Sequence, residues 1–284
     1  MAAQRIVNQG DCYVTDNDIL NAISERTDNA LSLIDSCDSF LLNNLRVSTN
    51  NRSLLHLCVG IGWYKAVIQL LKRSLDVNTI DNEGNTPLML ALNLPKTDIL
   101  KCLLSYEKTN VNYQRTIDGC TVVHLACLND RSRHLKILLQ QRKHRIDLKL
   151  KTLSNENFLH LISDFKCKKS LKILHQFSFN DDLWNEKSNQ GYTPLFIAVI
   201  RWPYSSFTRH LLRLLLNLSS TSLHTKDNHG KTILHWAIFN HHLVKLINDN
   251  RWLMLDSIQD RYGKIPLDYA YEQHLLKSVQ YLRT

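Results

Sequence analysis

The chain has 284 residues, 44% hydrophobic and 21% charged, with a formal net charge of +9 from 35 Lys+Arg against 26 Asp+Glu. That balance can bury a core and excludes a disordered or fibrous chain, while 8 glycines and 5 prolines are too few for the turns of a many-stranded sandwich or barrel. The basic excess points toward an acidic partner. Length alone, at roughly 150 residues per domain, suggests two domains. The seven cysteines, Cys12, Cys37, Cys58, Cys102, Cys120, Cys127 and Cys167, are odd in number and never spaced C-x-x-C. They argue against a disulfide framework or a structural zinc site and suit the reduced thiols of cytosol or nucleus. No apolar run approaches the ~20 residues of a membrane span, and Met1 to Thr15 has no leader-like apolar stretch. The expectation is an intracellular protein, in cytoplasm, nucleus or both, without membrane insertion.

In chain order, residues 1–16 read as a flexible segment. Two short one-sided helices follow over 19–23 and 30–34. A four-residue phrase then recurs seven times: Ser53-Leu54-Leu55-His56, Thr86-Pro87-Leu88-Met89, Thr121-Val122-Val123-His124, Asn157-Phe158-Leu159-His160, Thr193-Pro194-Leu195-Phe196, Thr232-Ile233-Leu234-His235 and Ile265-Pro266-Leu267-Asp268. The first residues lie 33, 35, 36, 36, 39 and 33 apart, a period that composition does not produce by chance. Thr, Ser or Asn supplies an N-cap oxygen, and Pro in second place is pre-set for the first helical turn. Two residues before the phrase stands Gly84, Gly119, Gly191, Gly230 or Gly263, or else Asn51 or Asn155. These are the residue types that accept a positive φ. After each of the first six phrases a short helix, a break and a second helix are expected. The second helices have leucines clustered over 67–71, 99–104, 135–139, 171–174, 211–216 and 243–247. Each is apolar on one side only, so a unit must stack on its neighbours.

These units resemble ankyrin repeats, whose pattern runs T-P-L-H-x-A-A, G-H, L-L-L, D-V-N and D-x-x-G. Thr86-Pro87-Leu88, Leu70-Leu71 with Asp76-Val77-Asn78, and Asp81-Asn82-Glu83-Gly84 match most closely, with Ala91, Ala126, Ala198, Ala237 and Ala270 at the small-residue position. The resemblance implies an all-α ankyrin-repeat solenoid of stacked helix-turn-helix units with finger loops. It implies one domain over 17–284: a degenerate N-cap at 17–50, repeats starting near 51, 84, 119, 155, 191 and 230, and a closing repeat at 263–284. The unit at 155 departs from the pattern in its opening and in a lengthened loop over 146–155, and residues 201–206 are an insertion between two helices. The Asp76-Val77-Asn78 match further implies asparaginyl hydroxylation at Asn78, and regulatory or scaffolding roles like those of the inhibitors of NF-κB follow by family analogy.

Sequence motifs for chemistry are missing. There is no G-x-x-x-x-G-K-[ST], H-E-x-x-H, G-x-S-x-G or EF-hand loop, and Gly60-Ile61-Gly62 lacks the preceding strand a nucleotide fingerprint needs. His56, His124, His160 and His235 hold the fourth place of the phrase, where an ankyrin histidine bonds neighbouring loops rather than a metal. His235 with His241 and His242 is the densest histidine group. No enzyme, metal or cofactor is expected.

The charge is local. Between Arg131 and Lys172 there are 12 Lys+Arg and 3 acids, a net of +9 (12 − 3); the remaining chain carries 23 basic (35 − 12) and 23 acidic (26 − 3) side chains. The expected basic patch comprises Arg131, Arg133, Lys136, Arg142, Lys143, Arg145, Lys166, Lys168, Lys169 and Lys172, extended by Arg209 and Arg213. Candidate finger contacts are Tyr113, Arg115, Lys149, Lys151 and Trp184, with Lys187 and Lys226 beside them; Trp63, Trp236 and Trp252 read as core or stacking residues. The expected function is a non-catalytic protein-protein interaction module, an adaptor, scaffold or regulatory inhibitor. It would bind a partner protein with an acidic segment through its concave finger surface and basic patch. The alternative is a nucleic-acid-associated module on the same patch. Phe158 and Phe165 fall on apolar-stripe positions and are expected to be buried, which leaves that patch without the interleaved aromatics such a module uses. The sequence carries no signal for oligomeric state.

Overall fold

A computed structural model describes residues 7–9, 12–27, 29–140, 145–165, 167–174, 176–177, 182–201, 204–216, 223–248 and 255–283. Packing gathers the chain into two compact units, residues 1–125 with 143–146, and residues 126–142 with 147–284. In the first, β1 (Val7–Gln9) pairs antiparallel with β2 (Cys12–Val14) inside the segment expected to be flexible. Then come α1 (Asp16–Ser24), α2 (Ala30–Ser36), α3 (Ser39–Asn44) and a second antiparallel pair, β3 (Arg46–Val47) with β4 (Arg52–Ser53). The unit continues through α4 (Leu54–Gly60), α5 (Tyr64–Lys72), α6 (Pro87–Leu90), a 3-10 turn at Ala91–Asn93, and α7 (Asp98–Ser105). Helix α8 (Val122–Leu128) carries the chain from one unit into the other.

The second unit holds α9 (Ser132–Gln140), α10 (Phe158–Asp164), α11 (Lys168–Leu174), α12 (Asp182–Asn185), α13 (Pro194–Arg201) and α14 (Ser206–Leu216). It ends with α15 (Ile233–Ala237), α16 (His241–Asn248), α17 (Pro266–Glu272) and α18 (Leu276–Leu282). Its first helices pack in succession, α10 on α13, α13 on α15, α15 on α17, and the second helices follow behind, α9 on α11 and α16 on α18. In the first unit α1 meets α4 and α4 meets α6, while α2, α5 and α7 form the second row. The repeated phrase thus produces a repeated helix pair.

The phrase works as its residue types require. Ser53 Oγ accepts a hydrogen bond from His56 N, and His56 Nδ1 accepts one from Ser53 N, a reciprocal N-terminal cap with histidine in place of the usual Glu. Asn157 and His160 repeat it. Pro87, Pro194 and Pro266 open their helices. Third-place residues Leu55, Leu88, Leu159 and Leu234 are buried, and Ala126, Ala198, Ala237 and Ala270 are wholly so. The turn position before the phrase has φ between +73° and +79° at Gly84, Gly119, Gly191, Gly230 and Gly263, and +56° and +60° at Asn51 and Asn155. At Gly191 a β-carbon would also lie 2.7 Å from the backbone N of Asn228 in the next finger, so two constraints select glycine there. The described thiols Cys37, Cys58, Cys120, Cys127 and Cys167 are buried and Cys102 is half-buried; all six are free.

Candidate functional site

Finger loops are held by aspartates that follow one rule. Asp81 Oδ1 accepts from the backbone N of Glu83 and Asn85, Asp227 Oδ1 from His229 and Lys231, and Asp260 Oδ1 from Tyr262 and Lys264. Three fingers then bond by their backbone to the one before: Asn82 N donates to Asn50 O, Asn189 N to Ser154 O and Arg261 N to His229 O, all at 3.0 Å. Three of the four fourth-place histidines tie phrase to finger. His56 Nε2 lies 2.9 Å from Asn85 O, His160 Nε2 3.1 Å from Tyr192 O, and His235 Nε2 3.2 Å from Lys264 O. A carbonyl can only accept and a backbone N–H can only donate, so Nε2 carries the proton and Nδ1 is bare. These rings are neutral, with both nitrogens engaged, and burial pushes the three pKa values down, that of His160 to about 4. No ring nitrogen of these three is left to ligate a metal. Among the described residues no group of three or more His, Cys, Asp or Glu is placed to hold one.

The fingers use much of the charge that the sequence assigns to a partner. Arg115 pairs with Asp118 and donates to Asn85 Oδ1 at 3.0 Å; the Asp118 partnership holds the guanidinium above its ordinary range. Lys151 sits 3.5 Å from Glu186. Lys187 Nζ donates to Lys226 O at 2.8 Å, and Lys226 Nζ to Gln259 O at 3.2 Å. Tyr113 is half-buried and Lys149 exposed. Trp184, on α12, is only 4% exposed and packs as a core residue. Asn78, the residue matched to the hydroxylation pattern, is half-buried; its Nδ2 donates to Lys108 O at 2.8 Å and its Oδ1 accepts from Asn110 N at 2.7 Å.

The basic stretch divides the same way. Arg145 is half-buried and donates to the carbonyls of Leu104 (2.9 Å), Tyr106 (3.3 Å), Glu107 (2.9 Å) and Thr109, clamping the loop after α7. It is a structural residue of the first unit. Arg142, Lys143 and Lys166 lie outside the described residues, as do Trp252 and the side chain of Arg213. Arg131, Arg133 and Lys136, at and along α9, and Lys168, Lys169 and Lys172 of α11 are all exposed. None of these six, nor Arg209 of α14, forms an ion pair with a described residue. Lys168 and Lys172 stand one helical turn apart and therefore share a face. With α9 packed on α11 at ~10 Å between axes, the six cations make one unneutralised field.

Two features escape the sequence reading. Phe158 is buried, but Phe165, at the end of α10, is 53% exposed: α10 stops at Asp164, and Phe165 falls on the turn, where the helical stripe no longer applies. The expectation that both rings are buried is corrected. The second feature is a groove of about 480 Å³ between α11 and α14, lined by Lys168, Leu171, Lys172, Ser206, Phe207, Arg209 and His210. A further aromatic row runs along the fingers and first helices of the second unit. Tyr192 meets Trp236 edge-on at 6.3 Å, and Lys231 lies 4.9 Å from the Trp236 ring and 4.3 Å from Tyr269. Trp236 Nε1 donates to Asp227 Oδ2, and Tyr269 OH to Asp260 Oδ2. Trp236 and Tyr269 share the place after the phrase, a register that marks this row in the sequence.

Stacked helix pairs, linked finger to finger and carrying cations that form no ion pair among the described residues, define a helical repeat protein. A family model described as ankyrin repeats matches in three copies, over residues that include 20–115 and 55–152. The chain is an ankyrin-repeat protein, and ankyrin repeats are generally modules for protein-protein interaction. An ankyrin repeat protein of Acanthamoeba polyphaga mimivirus is 23% identical over 201 residues, covering 69% of this chain and 25% of that protein. Inversin of Canis lupus familiaris is 27% identical and human inversin 26% identical, each over 199 residues, 67% of this chain and 17% of inversin. The chain thus spans a quarter or less of the length of these curated relatives. The crystal structure of the ankyrin repeat domain of Bcl-3, a unique member of the IkappaB protein family, superposes with a TM-score of 0.68 at 21% identity, covering 81% of this chain and 97% of that domain. That likeness concerns the fold. No helix among the described residues is long and apolar enough to cross a membrane.

Proposed function

We propose that this ankyrin-repeat protein is a non-catalytic adaptor, scaffold or regulatory inhibitor that holds a partner protein by an acidic segment, using the cations of α9 and α11 together with its finger surface. The observation that carries this reading is that Arg131, Arg133, Lys136, Lys168, Lys169 and Lys172 are exposed and form no ion pair with a described residue. In the same stretch Arg145 is instead committed to loop carbonyls and Lys151 to Glu186. Exposed like charges of this density repel one another, and an acidic partner relieves that repulsion. Membership of the ankyrin-repeat family supports an interaction role, and the six free thiols among the described residues support a reducing compartment, cytoplasm or nucleus. Rigid repeats lose little conformational entropy when they bind.

The test is affinity capture from cells with the wild type beside Lys168→Glu/Lys169→Glu. Both residues are exposed, so the double variant keeps its helical circular dichroism and cooperative melting. It is expected to lose the partner, with affinity down about tenfold or more. Capture of the same partner at undiminished yield sinks the reading. Exposed Phe165, beside the patch, favours a second reading, a nucleic-acid module on the same cations. Its mark is binding that falls steeply, by roughly 10³-fold or more for six phosphate contacts, between about 50 and 200 mM salt.

A further inference from the structure

The groove between α11 and α14 differs from the flat cationic face beside it. Leu171 and Phe207, 1% and 3% exposed, make its floor, while Lys168 and Lys172 stand on one wall and Arg209 on the other. Its volume of about 480 Å³ lies in the range of binding clefts rather than of gaps between packed helices. The three cations at its rim form no ion pair with a described residue. A site with an apolar floor and a cationic rim matches a ligand with the converse order: one apolar group at the centre and anions to either side. A phosphate backbone supplies the anions but nothing for the floor. A short amphipathic helix supplies both, because side chains three and four positions apart share a face.

We propose that this groove seats one short acidic helical segment of a partner protein, with a single apolar side chain on Leu171 and Phe207 and carboxylates a turn away meeting Lys168, Lys172 and Arg209. This rests on the interaction-module reading and adds to it the position and form of the anchor. Charge draws the segment in along the α9–α11 face, and the apolar anchor fixes its register. Ordinary cationic surface does not distinguish among acidic sequences; a floored groove does.

The experiment uses the full chain and a synthetic acidic peptide, helical and about 14 residues long, with one central Leu flanked by Glu at three and four positions on each side. A counterpart has Ser for Leu. Measured by fluorescence anisotropy at about 50 mM salt, the Leu peptide is expected to bind about tenfold tighter than the Ser peptide. Arg209→Glu, which reverses a rim charge, and Ser206→Trp, which fills the groove without changing charge, are each expected to weaken it about tenfold. Lys65→Glu with Lys101→Glu, exposed residues of α5 and α7 outside the basic patch, is expected to change it less than about threefold. Equal affinity for the two peptides overturns the proposal, as does wild-type affinity in Ser206→Trp, or displacement of the Leu peptide by oligothymidine at a lower concentration. Should Ser206→Trp lose its helical signal, Arg209→Glu alone decides, because that side chain is exposed. If Lys168→Glu/Lys169→Glu abolishes partner capture while the groove variants leave it intact, the basic patch stands and the groove fails. If no variant affects capture, both readings fall.

Discussion

His160 is held between a backbone N–H of Asn157 and the carbonyl of Tyr192, an arrangement that only the neutral ring satisfies. Burial is the main reason its pKa drops from 6.5 to about 4, and His56 and His235 move in the same direction. With the folded pKa below the unfolded one, the unfolded chain binds more protons between those values, so stability is full above pH 6.5 and is lost as pH falls toward 4. A shift of this size corresponds to about 3 kcal/mol for His160 alone. Thermal melts are therefore expected to weaken from pH 7.5 to pH 5, and His160→Gln to be less stable at pH 7.5 yet lose part of that slope. A melting curve indifferent to pH over this span contradicts the neutral rings. Arg145 makes the complementary case: a charged residue inside the basic stretch whose hydrogens are committed to four carbonyls. Arg145→Ala is expected to cost about 1–3 kcal/mol in chemical denaturation, and Arg133→Ala, exposed and without an ion pair among the described residues, to stay within about 0.5 kcal/mol.

Among the elements, the helix starts were the most readable, because a cap is local chemistry: an N-cap oxygen, a proline, and a histidine three positions on. The left-handed turn two residues earlier was readable for the same reason, since only a few residue types accept it. Gly191→Ala tests how firmly. Its φ of +79° and its closeness to Asn228 predict a loss of about 1–3 kcal/mol, whereas Gly60→Ala, at the exposed end of α4 with open space around it, is expected to be neutral or to gain about 0.5–1 kcal/mol. Equal effects in equilibrium unfolding would show that the turn is not under steric control. Helix α3 and the two small strand pairs were not foreseen. Six residues or fewer give too little periodicity to separate a helix or strand from a loop, and all of these elements except β4, whose Ser53 opens the first phrase, stand outside the repeat.

For the molecule as a whole, the sequence located the charge but did not say which of it was free. Counting finds twelve cations between Arg131 and Lys172, yet only a folded chain shows Arg145 and Lys151 engaged and the α9 and α11 residues unengaged. Pairings such as that of Lys151 with Glu186 span a whole repeat and have no local signature. The groove was equally hidden, since it joins side chains more than thirty positions apart. The free cations predict that association with an acidic partner slows as salt rises, by about tenfold or more for a steered encounter. Stopped-flow rates indifferent to ionic strength would place binding elsewhere.

The burial of the thiols has a practical side. Cys58, Cys120 and Cys167 are pushed up to about 12 by loss of water, so almost no thiolate exists to be alkylated or oxidised at neutral pH. Cys37 and Cys127 are buried as well, and Cys102 on α7 is the least enclosed of the six described. A maleimide dye should therefore find Cys102 first among them while the fold is intact. The order in which the others then react under rising denaturant would report which parts of the stack open first.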